Sequence, residues 1–217
     1  MKKKSVSYKI SEIKKKNINK KTLEKIFYLI KKENTYSILS KLDRKLIYEY
    51  LTISASSKKI YLFVMKSKQE IVGYILYVKS EKELILEFKR MKFKIIKHLL
   101  LKLKFFSIIN ILLAISKLDI LLANLTFKKD SPGTINLNLL AIKKEYQSKG
   151  LGKLLIKKSL KYLLSKGLKF NYISCEAPTS RALKFYQRNI LFQPYALLLY
   201  KSNLLTSANY QKVFLLL

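Results

Sequence analysis

Apolar and polar positions change their period several times along the chain, and each change marks an element. Ser5 to Ile10 reads as a first strand. From Asn19 to Lys32 the spacing becomes helical, with Leu23, Ile26, Phe27 and Ile30 on one side and Asn19 placed to cap the start. Asn34 to Leu42 is a polar link. Asp43 to Ala55 is a second helix, capped by Asp43 and carrying Leu46, Ile47, Tyr50 and Leu51 on one side. Ile60 to Met65 and Ile71 to Val78 are strands, with Lys66 to Glu70 turning between them as a hairpin. Gly73 weakens the second of these unless another backbone or a ligand comes close.

Residues 81–132 follow, where a short turn would suffice. Ile96, Leu99, Leu100, Leu103 and Phe106 form one apolar stripe there, while Arg90, Lys94, Lys97 and Lys104 gather on another. Phe105 to Ile115 is uncharged, but a bilayer needs about twenty such residues, and Lys117 and Asp119 interrupt the run. No membrane span is expected. Three readings compete for this insert: a helical subdomain packed on the core, a basic amphipathic helix lying on an anionic membrane surface, or a dimer contact.

The pattern then returns to order. Thr134 to Ile142 is β-branched and aliphatic, which suits a buried strand. After it come Gln147, Ser148, Lys149, Gly150, Leu151 and Gly152, and then a helical run ending at Gly167. Leu151, Leu155, Ile156, Leu160, Tyr162 and Leu163 fall on one half of that helix, and Lys153, Lys157, Lys158 and Lys161 on the other. Leu154 and Leu164 break the pattern. Asn171 to Glu176 is the next strand, Pro178 and Thr179 end it, and Thr179 is placed to cap a helix from Ser180 to Asn189. Tyr195 to Lys201 and Tyr210 to Leu217 close the chain as antiparallel strands.

Composition changes this picture in three places. The chain has 217 residues, so one domain with an elaboration is the simplest division. Basic residues number 45 against 13 acidic, a net charge of +32, yet only Arg44, Arg90, Arg181 and Arg188 are arginine. Recognition of nucleic acid draws on arginine's bidentate geometry, so a lysine excess is discounted as evidence for it, though anionic surfaces are still attracted. Cys175 and His98 are each alone of their kind, which excludes an intrachain disulfide, a His-based zinc site and a Ser-His-Asp triad. A reducing compartment is the default for such a chain. The basic start has no apolar stretch behind it, so it is not a secretory signal, and a cytoplasmic location is expected.

Two of the five glycines stand two apart at the opening of the helix after Thr134–Ile142. Glycines there let a backbone approach a bulky anion, and the unpaired N–H groups of a first helical turn bind phosphate. Lys149 and Lys153 add full charges beside those partial ones.

Gln147-x-x-Gly150-x-Gly152 after Leu140-Ala141-Ile142 resembles the acetyl-coenzyme A signature of the GNAT superfamily of N-acetyltransferases. Ala182-Leu183-Lys184-Phe185-Tyr186 resembles that family's A-x-x-F-Y helix. The family's glycine-aromatic step after it is missing, since Asn189-Ile190-Leu191-Phe192 has no glycine. The resemblance covers most of the chain outside the insert. It implies an α/β (α+β) acyl-CoA N-acyltransferase fold, a mixed and mostly antiparallel sheet flanked by helices, as one domain over 1–217 with the helical insert before the central strand. It also implies acetyl-coenzyme A as co-substrate and no metal. The loop amides from Gln147 through Ser148, Lys149, Gly150, Leu151, Gly152 and Lys153 would cradle the pyrophosphate. The edge of Leu140, Ala141 and Ile142 would hold the pantetheine. Thr179 stands where the family often has an asparagine touching the coenzyme. A similar helical insert occurs in GNAT-like proteins of bacterial surface-polysaccharide clusters, which suggests an amino-sugar acceptor.

Acetyl transfer to an amine needs the carbonyl polarised, the amine deprotonated and the thiolate protonated. No side-chain nucleophile is needed if the amine attacks directly. Tyr186, which matches the family's tyrosine, is the candidate for protonating the thiolate; a core tyrosine beside Phe185 is the plainer alternative. Glu176 is the first choice of base, with a water chain serving equally well. Cys175 reads as a buried small residue, and Glu145 and Tyr146 as structural. The link Asn34 to Leu42 is placed to face the acceptor. Two rivals remain: an acetyltransferase of protein amino groups, and a basic membrane- or nucleic-acid-binding module with a vestigial coenzyme site.

Overall fold

The computed structural model describes residues 7–35, 37–79, 91, 94, 133–170, 172–176, 179–189, 198–200 and 210–216. Its frame is a seven-stranded sheet of β1 (Tyr8–Ile13), β2 (Ile60–Ser67), β3 (Glu70–Val78), β4 (Thr134–Ile142), β5 (Tyr172–Glu176), β6 (Leu198–Tyr200) and β7 (Tyr210–Leu216). The strands lie in the order β1-β2-β3-β4-β5-β7-β6. Every neighbouring pair is antiparallel except β4 and β5, which run parallel. The mixed, mostly antiparallel sheet expected from the sequence is present.

Helices α1 (Lys20–Glu33) and α3 (Arg44–Ser56) cover one face, with the short α2 (Ile38–Lys41) between them in sequence. Ile26, Ile30, Ile47 and Leu51 pack there against Leu62, Val64 and Leu76 of the sheet. Helices α4 (Leu151–Ser165) and α5 (Ser180–Asn189) cover the other face. There Leu155, Ile156 and Leu163 meet Phe63, Ile75 and Ile135. Strand side chains alternate between these two cores, so both faces of β2, β3 and β4 are apolar.

The helix starts are local and follow the sequence. Asn19 Oδ1 accepts from Thr22 N at 2.9 Å, Asp43 Oδ1 from Leu46 N at 2.8 Å, and Thr179 Oγ1 from Ala182 N at 3.1 Å. Each replaces a partner that a first helical turn lacks.

Several elements differ from the reading of the sequence. The first strand runs from Tyr8 to Ile13, so it starts and ends three residues later. The link from Asn34 to Leu42 contains α2, tied down by Lys31, whose ammonium donates to the carbonyls of Ser40 and Leu42 at 2.8 and 2.7 Å. The hairpin turn is only Lys68 and Gln69, with Lys68 at φ +55°. On α4, Tyr162 is 38% exposed and Leu164 48%, so Tyr162 stands at the border of the apolar half, edge-on to Phe63 at 5.5 Å. Ser159 takes a buried place instead, its hydroxyl 3.0 Å from that of Tyr77 on β3. Burial pushes the Tyr77 phenol well above its ordinary value.

Of the insert, Met91 and Lys94 are described. Met91 is helical and fully buried in the α1/α3 core, and the Lys94 ammonium lies 2.7 Å from Glu49 of α3. The stripe from Ile96 to Phe106, Arg90, Lys97 and Lys104 lie outside the described residues, as does the segment from Ile190 to Phe192.

Candidate active site

The site begins where β4 parts from β5. Their parallel pairing runs from Thr134↔Tyr172 to Leu137↔Cys175, and β4 then continues to Ile142 with no partner on that side among the described residues. On its other side β4 stays paired with β3 to its end. The register there passes from Tyr77↔Leu137 to Leu76↔Leu139, which leaves Asn138 as an extra residue, a β-bulge. The bulge comes immediately after the last β4–β5 pair. It reverses the phase of β4, so Leu137 and Leu140 both face the α4 core while Leu139 faces the other. Asn138 itself is exposed.

Past the bulge, alternate peptides of β4 have no strand partner among the described residues. Lys143 N donates to Val72 O at 2.8 Å, so the ladder's alternation turns the Ala141 peptide toward β3 and those of Leu140 and Ile142 toward the gap. Of the three residues expected to hold the pantetheine, Leu140 presents its N–H and C=O to the opening and Ile142 its N–H, the Ile142 carbonyl being taken by Gln147. Gly73 lets the opposite side close up: a Cβ there would stand 2.9 Å from the Ala141 carbonyl oxygen.

Beyond β4 the chain makes one 3₁₀ turn, Lys144–Tyr146, and enters the glycine loop. Ser148 at φ +60° and Gly150 at φ +73° reverse its direction, and α4 starts at Leu151. Gly150 occupies the N-cap position with no side chain to cap the N–H groups behind it, and a Cβ built on it would meet nothing within 4 Å among the described residues. Ser148, Lys149 and Gly150 are exposed, and so is Lys153 in the first turn of α4. An open space in front of uncapped helix N–H groups fits an anion the size of a pyrophosphate. Lys149 is already engaged: its ammonium donates to Glu145 O at 2.8 Å and sits 5.4 Å from the centre of the Tyr146 ring.

Gln147 anchors the loop instead of facing solvent. Its Nε2 donates to Ile142 O at 2.7 Å and to Glu33 Oε2 at 3.0 Å, and its Oε1 accepts from Arg181 Nη2 at 2.8 Å. Lys144 N donates to the other oxygen of Glu33 at 3.1 Å. Glu33 and Arg181 carry no motif. They stand 114 and 34 residues from Gln147, so no local pattern pointed to them. Beside this junction Glu70 accepts from Lys143 at 2.6 Å and from Tyr146 at 3.1 Å. Those hydrogen bonds, that of Lys143 first, hold the Glu70 carboxyl below its ordinary range.

Tyr186 lies on α5, buried in the core that also contains Leu137 and Cys175 and that Leu140 and Ile142 pack against. Its ring meets Phe185 edge-on at 5.3 Å. Gly152 brings α4 close to the same pair, for a Cβ there would stand 2.9 Å from Phe185 Cζ. Thr179 uses its hydroxyl as the cap of α5. Glu176 ends β5 one residue past the last pair with β4, and its side chain lies outside the described residues.

The strand thus leaves its parallel neighbour at a bulge and feeds a left-handed glycine at a helix start. Residues 23–190 match the model of the acetyltransferase (GNAT) family. The chain belongs to the GNAT family. Its fold is the GNAT fold, and solved structures agree at low sequence identity. The polyamine N-acetyltransferase of Drosophila melanogaster superposes with a TM-score of 0.57 at 13% identity, over 97% of this chain and 100% of that one. The ribosomal-protein-S18-alanine N-acetyltransferase of Escherichia coli gives 0.53 at 10%, over 97% and 94%. The PaiA N-acetyltransferase of Thermoplasma acidophilum, in complex with coenzyme A, gives 0.51 at 13%, over 95% and 98%. No curated protein matches the sequence. Among the described residues of this GNAT chain no helix is long and apolar enough to cross a membrane.

Proposed function

We propose that this GNAT protein transfers the acetyl group of acetyl-coenzyme A to a primary amine by direct attack within a ternary complex. The observation that carries the reading is the gap beyond Leu137↔Cys175 leading to the open, left-handed Gly150. The N–H groups at the start of α4 bind the pyrophosphate, with Lys153 adding charge. The Leu140 and Ile142 peptides align the pantetheine as an added strand would. The amine lone pair attacks the thioester carbonyl and the C–S bond breaks. Tyr186 gives its phenolic proton to the departing thiolate, and Glu176 or a water chain takes the proton lost by the amine.

The acceptor we infer is an amino sugar carried on a nucleotide or lipid phosphate in surface-glycan synthesis. A chain of net charge +32 repels a polyamine and attracts a phosphate-bearing acceptor, which favours this class over the polyamines of its Drosophila neighbour. The reaction takes place in the cytoplasm, where acetyl-coenzyme A is made, with the basic surface in peripheral contact with anionic membrane. An acceptor panel followed by free-thiol release tests the reading. Nucleotide-linked amino sugars should give the highest kcat/KM. Preference for peptide amino termini or polyamines would overturn the acceptor class, and no thiol release with any amine would overturn the enzyme.

A further inference from the structure

Glu33 is the last residue of α1, on the opposite face of the sheet from α4 and α5, yet both of its carboxylate oxygens are bonded to the coenzyme loop. We propose that Glu33 is a positioning residue for coenzyme binding. Its carboxylate fixes the Gln147 amide and the Lys144 N–H, and so presets the path of the loop from Ile142 to Gly150.

The bonds leave little freedom. The 3₁₀ turn Lys144–Tyr146 has no side-chain cap of its own, and Glu33 Oε1 supplies one from across the fold. Gln147 has its two donor positions on Glu33 and Ile142 O and its oxygen on Arg181, so the amide has one orientation that satisfies all three partners. Through it the end of β4, the end of α1 and the start of α5 are joined at a single side chain. Glu33 is itself held. Its neighbour Asn34 closes α1 with an N–H to Ile30 O at 3.2 Å, and the Asn34 amide donates to the hydroxyl of Tyr74, wholly buried on β3. Thus the chain before the two left-handed residues, Ser148 and Gly150, is tied at Ile142, Lys144 and Gln147 by the protein's own hydrogen bonds. A loop ordered in advance loses less entropy on binding, and that difference appears as affinity.

An isostere separates this role from packing. Glu33→Gln keeps the shape but turns an NH₂ toward either the Lys144 N–H or the Gln147 NH₂, donor against donor. Rotating Gln147 to relieve that would point its oxygen at Ile142 O and its NH₂ at Arg181. At least one bond is lost whichever way the amides turn.

The proposal rests on the coenzyme reading above, and calorimetry with coenzyme A on the full chain tests the two separately. Glu33→Gln should raise Kd about tenfold, the equivalent of one lost hydrogen bond of about 1.4 kcal/mol. It should raise KM for acetyl-coenzyme A similarly while kcat at saturation stays within about twofold. Gln147→Ala and Glu33→Gln together should weaken binding by less than the product of their single effects, because Glu33 acts partly through Gln147. Unchanged Kd in Glu33→Gln, or effects of the two substitutions that simply multiply, would overturn the positioning role. Failure of the wild-type chain to bind coenzyme A would overturn the coenzyme reading and this proposal with it.

Discussion

Gly152 and Phe185 touch across the α4–α5 interface so closely that one added carbon would collide. The Cβ of an alanine at 152 would stand 2.9 Å from Phe185 Cζ and 3.0 Å from Cε2. The second glycine of the motif therefore sets the distance between the coenzyme helix and the helix carrying Tyr186. Gly152→Ala is expected to displace the Phe185 ring and lower stability by about 1–3 kcal/mol, as overpacking does. Phe185→Leu in the same protein should recover part of it. Urea midpoints of the single and double variants measure this, and additive losses would show that the two residues are not coupled.

The first glycine of the motif has a different task. At φ +73° and with open space beyond it, Gly150 is limited by its backbone and by what enters the space, not by a protein neighbour. Gly150→Val should lower stability by about 1–2 kcal/mol from the left-handed conformation alone. It should also abolish coenzyme A binding, because the side chain fills the anion's place. Calorimetry decides it, and undiminished affinity would remove the loop from the coenzyme site.

Tyr186→Phe preserves the buried ring and its edge-on contact with Phe185. Coenzyme affinity should be unchanged, and kcat should fall about 10- to 10⁴-fold if the phenol donates the thiolate's proton. A variant with normal kcat and a normal pH profile would leave Tyr186 as packing.

Glu70 should make stability fall in acid. Its carboxyl lies below the ordinary value of 4.5, first through the Lys143 hydrogen bond and then, against desolvation, through Tyr146. A lowered folded value means the contribution is complete above 4.5 and disappears as pH falls through that lower value. The side chain is 44% exposed, so solvent screening keeps the effect modest. Urea midpoints of the wild type and Glu70→Gln should differ by a constant amount from neutral pH down to about 5 and converge below the usual carboxylate range. A gap that widens in acid would contradict the sign.

What the sequence determined by itself was whatever is settled within a few residues. Asn19, Asp43 and Thr179 cap the helices expected of them, because a cap reaches only three residues ahead. The strand Thr134–Ile142 has the bounds its apolar run suggested, and the glycine pair stands at the opening of a helix as expected. The first strand, poorly patterned and flanked by lysine runs, lies three residues beyond Ser5–Ile10. Tertiary structure alone decided the rest. The bulge at Asn138 exists only as a mismatch between β4 and β3, so no residue of β4 announces it. Tyr162 left the apolar half of its helix because the burial of a border residue depends on what the sheet offers opposite it. Gln147 was legible as a loop residue, but not as a junction, because its partners Glu33 and Arg181 come from helices on opposite faces of the sheet. A hydrogen bond across 114 residues leaves no period or spacing in the chain, since its geometry exists only once the sheet has brought both ends together.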